Sequence, residues 1–161
     1  MPTQIGANRA GNYIGTPEAD TIYGTGGNDT LNEEGGTDIL TGARGNDQFL
    51  FDTALLAAGV DTTIGLFIDD NFDNDKIALD KTVFLALKTV TGNPLTAGNF
   101  SAINVAATSE VVVAGNSVNE IVYNSQTGGL FYNPNNNVAG FGLQQIVGSV
   151  AFGGSGSWED R

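Results

Sequence analysis

The sequence predicts an all-β protein: a short parallel β-solenoid of nine-residue repeats over residues 15–50, then a β-sandwich-like C-terminal capping part. Three observations carry this. An aspartate returns every nine residues, at Asp20, Asp29, Asp38 and Asp47, and a large apolar residue follows each by two, at Ile22, Leu31, Leu40 and Phe49. The 161 residues include 23 glycines and many Asn and Thr, a composition of short strands and turns. Beyond residue 50 the period stops, and β-rich runs separated by turn residues take over.

Residues 1–14 read as a degenerate capping repeat, as terminal repeats of solenoids commonly are. Tyr13 takes the apolar position, but Gly11 stands where the aspartate is due and Arg9 holds the fourth position. On the stacking rule this loop lies over residues 24–29. Two readings stay open for Arg9: it supplies positive charge there in place of an ion, or it is a surface arginine.

Residues 15–50 divide into four nines. The Asp-x-apolar end of each is too short for a helix but long enough for a short strand. The glycine-rich end is a turn, since glycine takes positive φ without a Cβ clash. Strand plus turn make half a coil, so eighteen residues make one coil, and coils stack at about 4.8 Å. The loops of Asp20 and Asp38 then share one side, and those of Asp29 and Asp47 the other. Two carboxylates that close repel unless something positive lies between them. Loop carbonyls add hard oxygen donors, and an oxygen-only site with two carboxylates suits Ca²⁺ better than Zn²⁺ or Mg²⁺. Ordinary Asp-containing turns would not keep one register, with the apolar position in phase, through four repeats.

These nines resemble the RTX (haemolysin-type) calcium-binding repeat, G-G-x-G-x-D-x-U-x. The resemblance implies a parallel β-roll with each Ca²⁺ between two loops of one side, held by both position-six aspartates and by main-chain carbonyls. Here it implies one ion between Asp20 and Asp38 and a second between Asp29 and Asp47. The carbonyl ligands would come from Gly15 and Pro17, Gly24 and Gly26, Glu33 and Gly35, and Gly42 and Arg44. The chain departs from the pattern at position two, which is Thr16, Thr25, Glu34 and Ala43 but never glycine, and at Glu18 in position four. Glu33 and Glu34 replace the paired glycines of the third repeat, and a Cβ there strains any positive φ. The Asp20/Asp38 site therefore departs further from the family pattern.

Residues 51–59 allow one or two helical turns ending at Gly59. Residues 60–80 resemble the segment after the repeats in serralysin-type RTX domains, where acids hold a further Ca²⁺. That resemblance makes Asp61, Asp69, Asp70 and Asp75 candidates for a third ion. Residues 73–75 also read simply as a polar turn before a strand at 76–79. Residues 81–87 are apolar enough for burial. The valine run within residues 110–114 reads as a strand, and residues 120–132 read as a hairpin turning at 124–129. The hairpin is similar to the family's I-x-Y-x-x-x-T-G-x-L-x-Y, which many members continue as D-A-D-G; here Asn133-Pro-Asn-Asn-Asn137 follows. Residues 144–152 read as a last strand, completing a capping part over 51–152. Residues 153–161 read as a flexible tail whose Trp158 either belongs to an export signal or packs on the roll.

The net charge of −12 argues against nucleic acid and anionic membrane surfaces as partners, and bound cations would offset it. With no Cys and no His, thiolate metal sites, disulfides, Ser-His-Asp triads and histidine acid/base chemistry are excluded. A carboxylate-only glycosidase survives that filter, yet nothing marks a substrate cleft. No apolar run approaches the ~20 residues of a membrane span. Residues 1–6 lack the basic and apolar regions of a cleaved signal peptide. These readings predict a secreted, non-enzymatic calcium-binding protein that folds or is stabilised on extracellular Ca²⁺. The resemblance implies a bacterial, extracellular location reached by type I secretion, with the secretion machinery as a partner. Two alternatives stand beside this: the export or folding module of a larger secreted enzyme, and a calcium-dependent adhesive or matrix protein self-associating through strand edges.

Overall fold

The computed structural model describes residues 3–5, 8–36, 38–53, 75–87, 91–95, 98–127, 129–134, 144–147 and 157–160. In chain order these form β1 (Thr3–Ile5), β2 (Asn12–Ile14), β3 (Thr21–Tyr23), β4 (Thr30–Asn32), β5 (Ile39–Thr41), β6 (Gln48–Phe51) and β7 (Lys76–Leu79). There follow β8 (Phe100–Ile103), α1 (Ala107–Gly115), β9 (Ile121–Asn124), β10 (Leu130–Tyr132), β11 (Gln144–Val147) and β12 (Ser157–Asp160).

The eighteen-residue coil expected from the repeats is the observed register. In one parallel sheet, β1, β3 and β5, Thr3 pairs with Thr21 and Thr21 with Ile39. In the other, ordered β2, β4, β6, β7 and β12, Asn12 pairs with Thr30 and Thr30 with Gln48. Alternate nines thus feed alternate sheets, as strand plus turn in each half-coil requires. The residue two after each aspartate points inward: Ile22, Leu31, Leu40 and Phe49 are fully buried. Ile77 of β7 extends this stack and Tyr13 of β2 packs against it. Each such buried side chain contributes about 1.5–3 kcal/mol.

The roll runs on past its fourth repeat. Lys76 of β7 pairs with Gln48, although 28 residues separate Asp47 from the equivalent Asp75. The strand expected at 76–79 is therefore the next coil of the roll.

Residues 100–147 contribute a four-stranded sheet ordered β11, β10, β9, β8. Its hairpin lies where the sequence placed it: β9 and β10 pair antiparallel, and Asn124 donates its N–H to Gly129 O at 2.8 Å. Ile121, Leu130 and Tyr132 enter the same core as the roll residues, together with Phe84 and Leu87. Phe84 meets Tyr132 edge-on at 5.1 Å, and Ala86 donates its N–H to the Tyr132 hydroxyl at 2.8 Å. The other face of the hairpin, Val122 and Phe131, packs on Ala114 of α1.

Four expectations beyond the repeats are corrected. Residues 110–114 belong to helix α1 rather than a strand. Small residues precede the valines, and the helix sets Ala114 against Val122 and Phe131, so packing outweighs the β preference of valine. The strand expected over 144–152 is described only at Gln144–Val147, and it is not the last. Ser157–Asp160, expected to be part of a flexible tail, is β12, lying parallel to β7 with Trp158 in register with Ile77. Composition read the tail as loose because it cannot reveal the sheet edge that takes it up. Of the helical turns expected over residues 51–59, the start is corrected, since Phe51 ends strand β6 where its side chain is buried in the core, and residues 54–59 lie outside the described residues.

Candidate metal centre

The aspartates stack into two ladders. On one side of the roll, Asp20 donates its N–H to Asp38 Oδ1 at 2.8 Å. On the other, Gly11 donates to Asp29 Oδ1, Asp29 to Asp47 Oδ1, and Asp47 to Asp75 Oδ1, each at 2.8 Å. One carboxylate oxygen of each lower residue is thus fixed by the peptide above it, and all five aspartates are at most 2% exposed.

The remaining oxygens carry the chemistry. Asp20 Oδ1 and Asp29 Oδ2 are buried and accept no hydrogen bond. Asp20 Oδ2 is engaged by the Thr16 N–H at 2.6 Å and the Thr16 hydroxyl at 2.9 Å. Burial pushes the Asp29 carboxyl above its ordinary value, with the Gly11 N–H partly opposing that. An ionised carboxylate held out of water without compensation is costly, so these oxygens call for a cation.

Glycine lets the loop backbone come close to these carboxylates. A Cβ on Gly24 would collide with the Asp29 carboxylate and stand 2.6 Å from Gly42 O. On Gly15 it would stand 2.6 Å from Glu33 O and 3.1 Å from Asp20 Oδ2. On Gly42 it would strike the Asp47 carboxylate. Each position-one glycine of repeats one and two therefore lies beside its own repeat's carboxylate and a carbonyl of the loop one coil below. Glu33 and Gly42, two of the expected carbonyl donors, are in those places. Gly26 and Arg44 face each other in a parallel bridge, while the backbone of Gly36 packs on that of Glu18. The Pro17 side chain is exposed beside Glu18. Gly35 turns at φ +101° and donates its N–H to the Glu33 carboxylate.

The departures from the repeat pattern have visible consequences. Thr25, Glu34 and Ala43, all at position two, adopt φ of 83°, 56° and 64°, the left-handed region that glycine would occupy without strain. Glu33 is buried and also accepts the Thr53 hydroxyl at 2.6 Å. Asn32 Nδ2 donates to the carboxylates of Glu34 at 3.1 Å and Asp52 at 2.9 Å. The two glutamates thus tie the third loop to its neighbours. Arg9 is exposed, as in its surface reading, and its backbone covers Gly27.

Among the candidates for a third ion, Asp75 joins the Asp29/Asp47 column. Asp61, Asp69 and Asp70 lie outside the described residues. Sequence reading grouped Asp75 with these loose acids, but a signal was present. Asn-Asp-x-apolar occurs at Asn28-Asp29-Thr30-Leu31 and Asn46-Asp47-Gln48-Phe49, and again at Asn74-Asp75-Lys76-Ile77. Among the described residues, carboxylates nowhere gather in threes as a ready-made metal cluster. The arrangement instead offers carboxylate pairs with loop carbonyls beside them, an oxygen-only donor set that fits Ca²⁺.

Residues 14–49 match the family model of the RTX calcium-binding nonapeptide repeat, in four copies. The segment is an RTX calcium-binding repeat array. No curated protein and no solved structure matches the chain. The RTX repeats account for the parallel β-roll and for calcium as its ion. Among the described residues no helix is long and apolar enough to cross a membrane.

Proposed function

We propose that this RTX roll is a secreted, non-enzymatic module whose folding is completed by Ca²⁺ taken up between stacked loops. The observation that supports it is the pair of buried carboxylate oxygens, Asp20 Oδ1 and Asp29 Oδ2, that accept no hydrogen bond. Asp20 and Asp38 would hold one ion with carbonyls of Gly15, Pro17, Glu33 and Gly35. Asp29 and Asp47 would hold a second with carbonyls of Gly24, Gly26, Gly42 and Arg44. Among the described residues, Asp47 and Asp75 continue the same ladder and are candidates for a third. The ion supplies positive charge where carboxylates stack, lifting the repulsion that opposes coil-on-coil contact. Free calcium near millimolar outside a cell would fill such sites. Each site at 100 times its dissociation constant adds about 2.7 kcal/mol, a large part of the ~5–15 kcal/mol that holds a domain together.

The test is far-UV circular dichroism of the chain after EGTA treatment, titrated with CaCl₂ and, as a control, MgCl₂. A cooperative gain of β signal with CaCl₂ alone, lost in Asp29→Ala/Asp47→Ala, is the expected result. A full β signal in EGTA would sink the folding switch. One observation favours a second reading, self-association in an adhesive or matrix setting. The edge strands β1 and β2 carry Ile5 at 72% and Ile14 at 48% exposure. Calcium-dependent growth in size on light scattering would support that reading.

A further inference from the structure

The two sides of the roll close their loops by different means. On the Asp29/Asp47 side the loops are tied to each other. Gly26 and Arg44 face each other in a parallel bridge, Arg44 donates its N–H to Thr25 O at 3.4 Å, and Asn46 donates its N–H to Asn28 Oδ1 at 3.0 Å. On the Asp20/Asp38 side the loops are tied to their own side chains. Glu34 donates its N–H to Asn32 Oδ1 at 3.2 Å, and Gly35 donates to the Glu33 carboxylate. In the first loop the Thr16 N–H and hydroxyl both reach Asp20 Oδ2, at 2.6 and 2.9 Å, and the same hydroxyl oxygen accepts the Glu18 N–H at 3.4 Å.

Position two explains the first loop. Thr25, Glu34 and Ala43 have left-handed backbones there, and Thr16 does not. Pro17 follows Thr16, and a proline ring steers the residue before it to extended backbone. Thr16 and Thr25 thus carry one side chain at one repeat position with opposite results. Thr16 is folded onto its aspartate. Thr25 leaves its buried hydroxyl without a hydrogen bond, and Asp29 Oδ2 accepts none either. Two donors on one carboxylate oxygen turn their positive ends toward it, the task a cation would perform, and they oppose a cation that comes to share it.

We infer that Thr16-Pro17 is a latch that sets the calcium affinity of the first loop. Thr16 stands in for part of the ion's charge at Asp20, so the Asp20/Asp38 site fills after the Asp29/Asp47 site, at about tenfold higher calcium. This rests on the calcium reading above and adds to it a graded response with two thresholds. Between them, the Asp29/Asp47 side holds its ion while protein groups alone close the first loop. Thr16 acts through Asp20 and is a positioning residue.

Amide NMR spectra of the full chain, followed from EGTA through a CaCl₂ titration, read each loop separately. Gly26, Asn28 and Arg44 should complete their shifts in a first step. Thr16 and Glu18 should move again in a second step, at about tenfold higher free calcium. Between the steps the Thr16 N–H should resonate at low field, as a donor to a carboxylate does. Thr16→Gly with Pro17→Gly frees the loop to take the left-handed turn and should bring the second step down to the first. Thr16→Ala keeps Pro17 and the N–H and loses only the hydroxyl. There the second midpoint should fall about threefold, and Thr16→Ser should keep the original value. A first loop that moves with the others, before them or not at all overturns the latch and leaves the calcium roll standing. So does a second midpoint that is unchanged or raised in Thr16→Ala. A chain in which no loop responds to calcium overturns both.

Discussion

At the scale of single residues, the repeat tolerates strain where its family uses glycine. Thr25 at φ +83° and Ala43 at φ +64° sit in a region that costs an L-residue roughly 1–2 kcal/mol. Thr25 also buries a hydroxyl that accepts and donates no hydrogen bond. Thr25→Gly and Ala43→Gly should each raise stability by about 1 kcal/mol, the relief being partly offset by the freer unfolded chain; urea midpoints in CaCl₂ measure it. The sequence showed that position two lacks glycine, but only φ shows that the backbone keeps the glycine conformation regardless. Asp29 sets a pH dependence. Burial raises its folded-state value above the ordinary 3.8, so the calcium-free fold binds more protons than the unfolded chain across that interval. The stability that Asp29 contributes in EGTA should be fully present below pH 3.8 and be lost as pH rises through the raised value. Calcium displaces the same proton, so affinity should strengthen over the same rise. Calorimetric titration at stepped pH checks both, and an affinity flat with pH counts against Asp29 as a ligand.

At the scale of elements, glycine lets a loop close on a carboxylate and a side-chain amide binds the end of a helix. Gly24 needs no positive φ, yet a Cβ there meets the Asp29 carboxylate and Gly42 O. Gly24→Ala should therefore weaken calcium binding on the Asp29/Asp47 side tenfold or more, about 1.4 kcal/mol or greater, while the Asp20/Asp38 side titrates as before. Asn133 stands where the hairpin pattern it resembles continues with Asp, which on sequence alone reads as a carboxylate lost. The structure gives the amide a task that a carboxylate cannot perform. Its Nδ2 donates to Ser117 O at 3.0 Å and Ala114 O at 3.5 Å, just past and within the last turn of α1. Asn133→Asp should destabilise by about 1–3 kcal/mol, because two carbonyls lose a donor and face a buried charge; thermal unfolding reads it. Hairpin and helix differ in legibility for the same reason. The hairpin is written in adjacent residues, with turn formers between two β-rich runs. The helix is decided by Val122 and Phe131, which come later in the chain.

At the scale of the whole molecule, the roll was legible because its rule is local and repeated, and it became illegible where the spacing changed. Period nine specified the coil, the inward residues and the two aspartate ladders. It gave no means to see that β7 and β12 prolong one sheet, since backbone pairing leaves little trace in side-chain composition. The same column continues although the coil that carries it has grown from 18 residues to 28. In terms of loop closure, that lengthening costs only about 0.4 kcal/mol, because the entropy of joining two ends grows with the logarithm of the chain between them. The last coil is thus held by what stands at its ends, Asp47 and Gln48 on one side and Asp75 and Lys76 on the other. Doubling that spacing with Gly/Ser residues should lower stability by only about 0.6 kcal/mol, whereas shifting Asp75 by a single residue relative to Lys76 should detach the coil altogether.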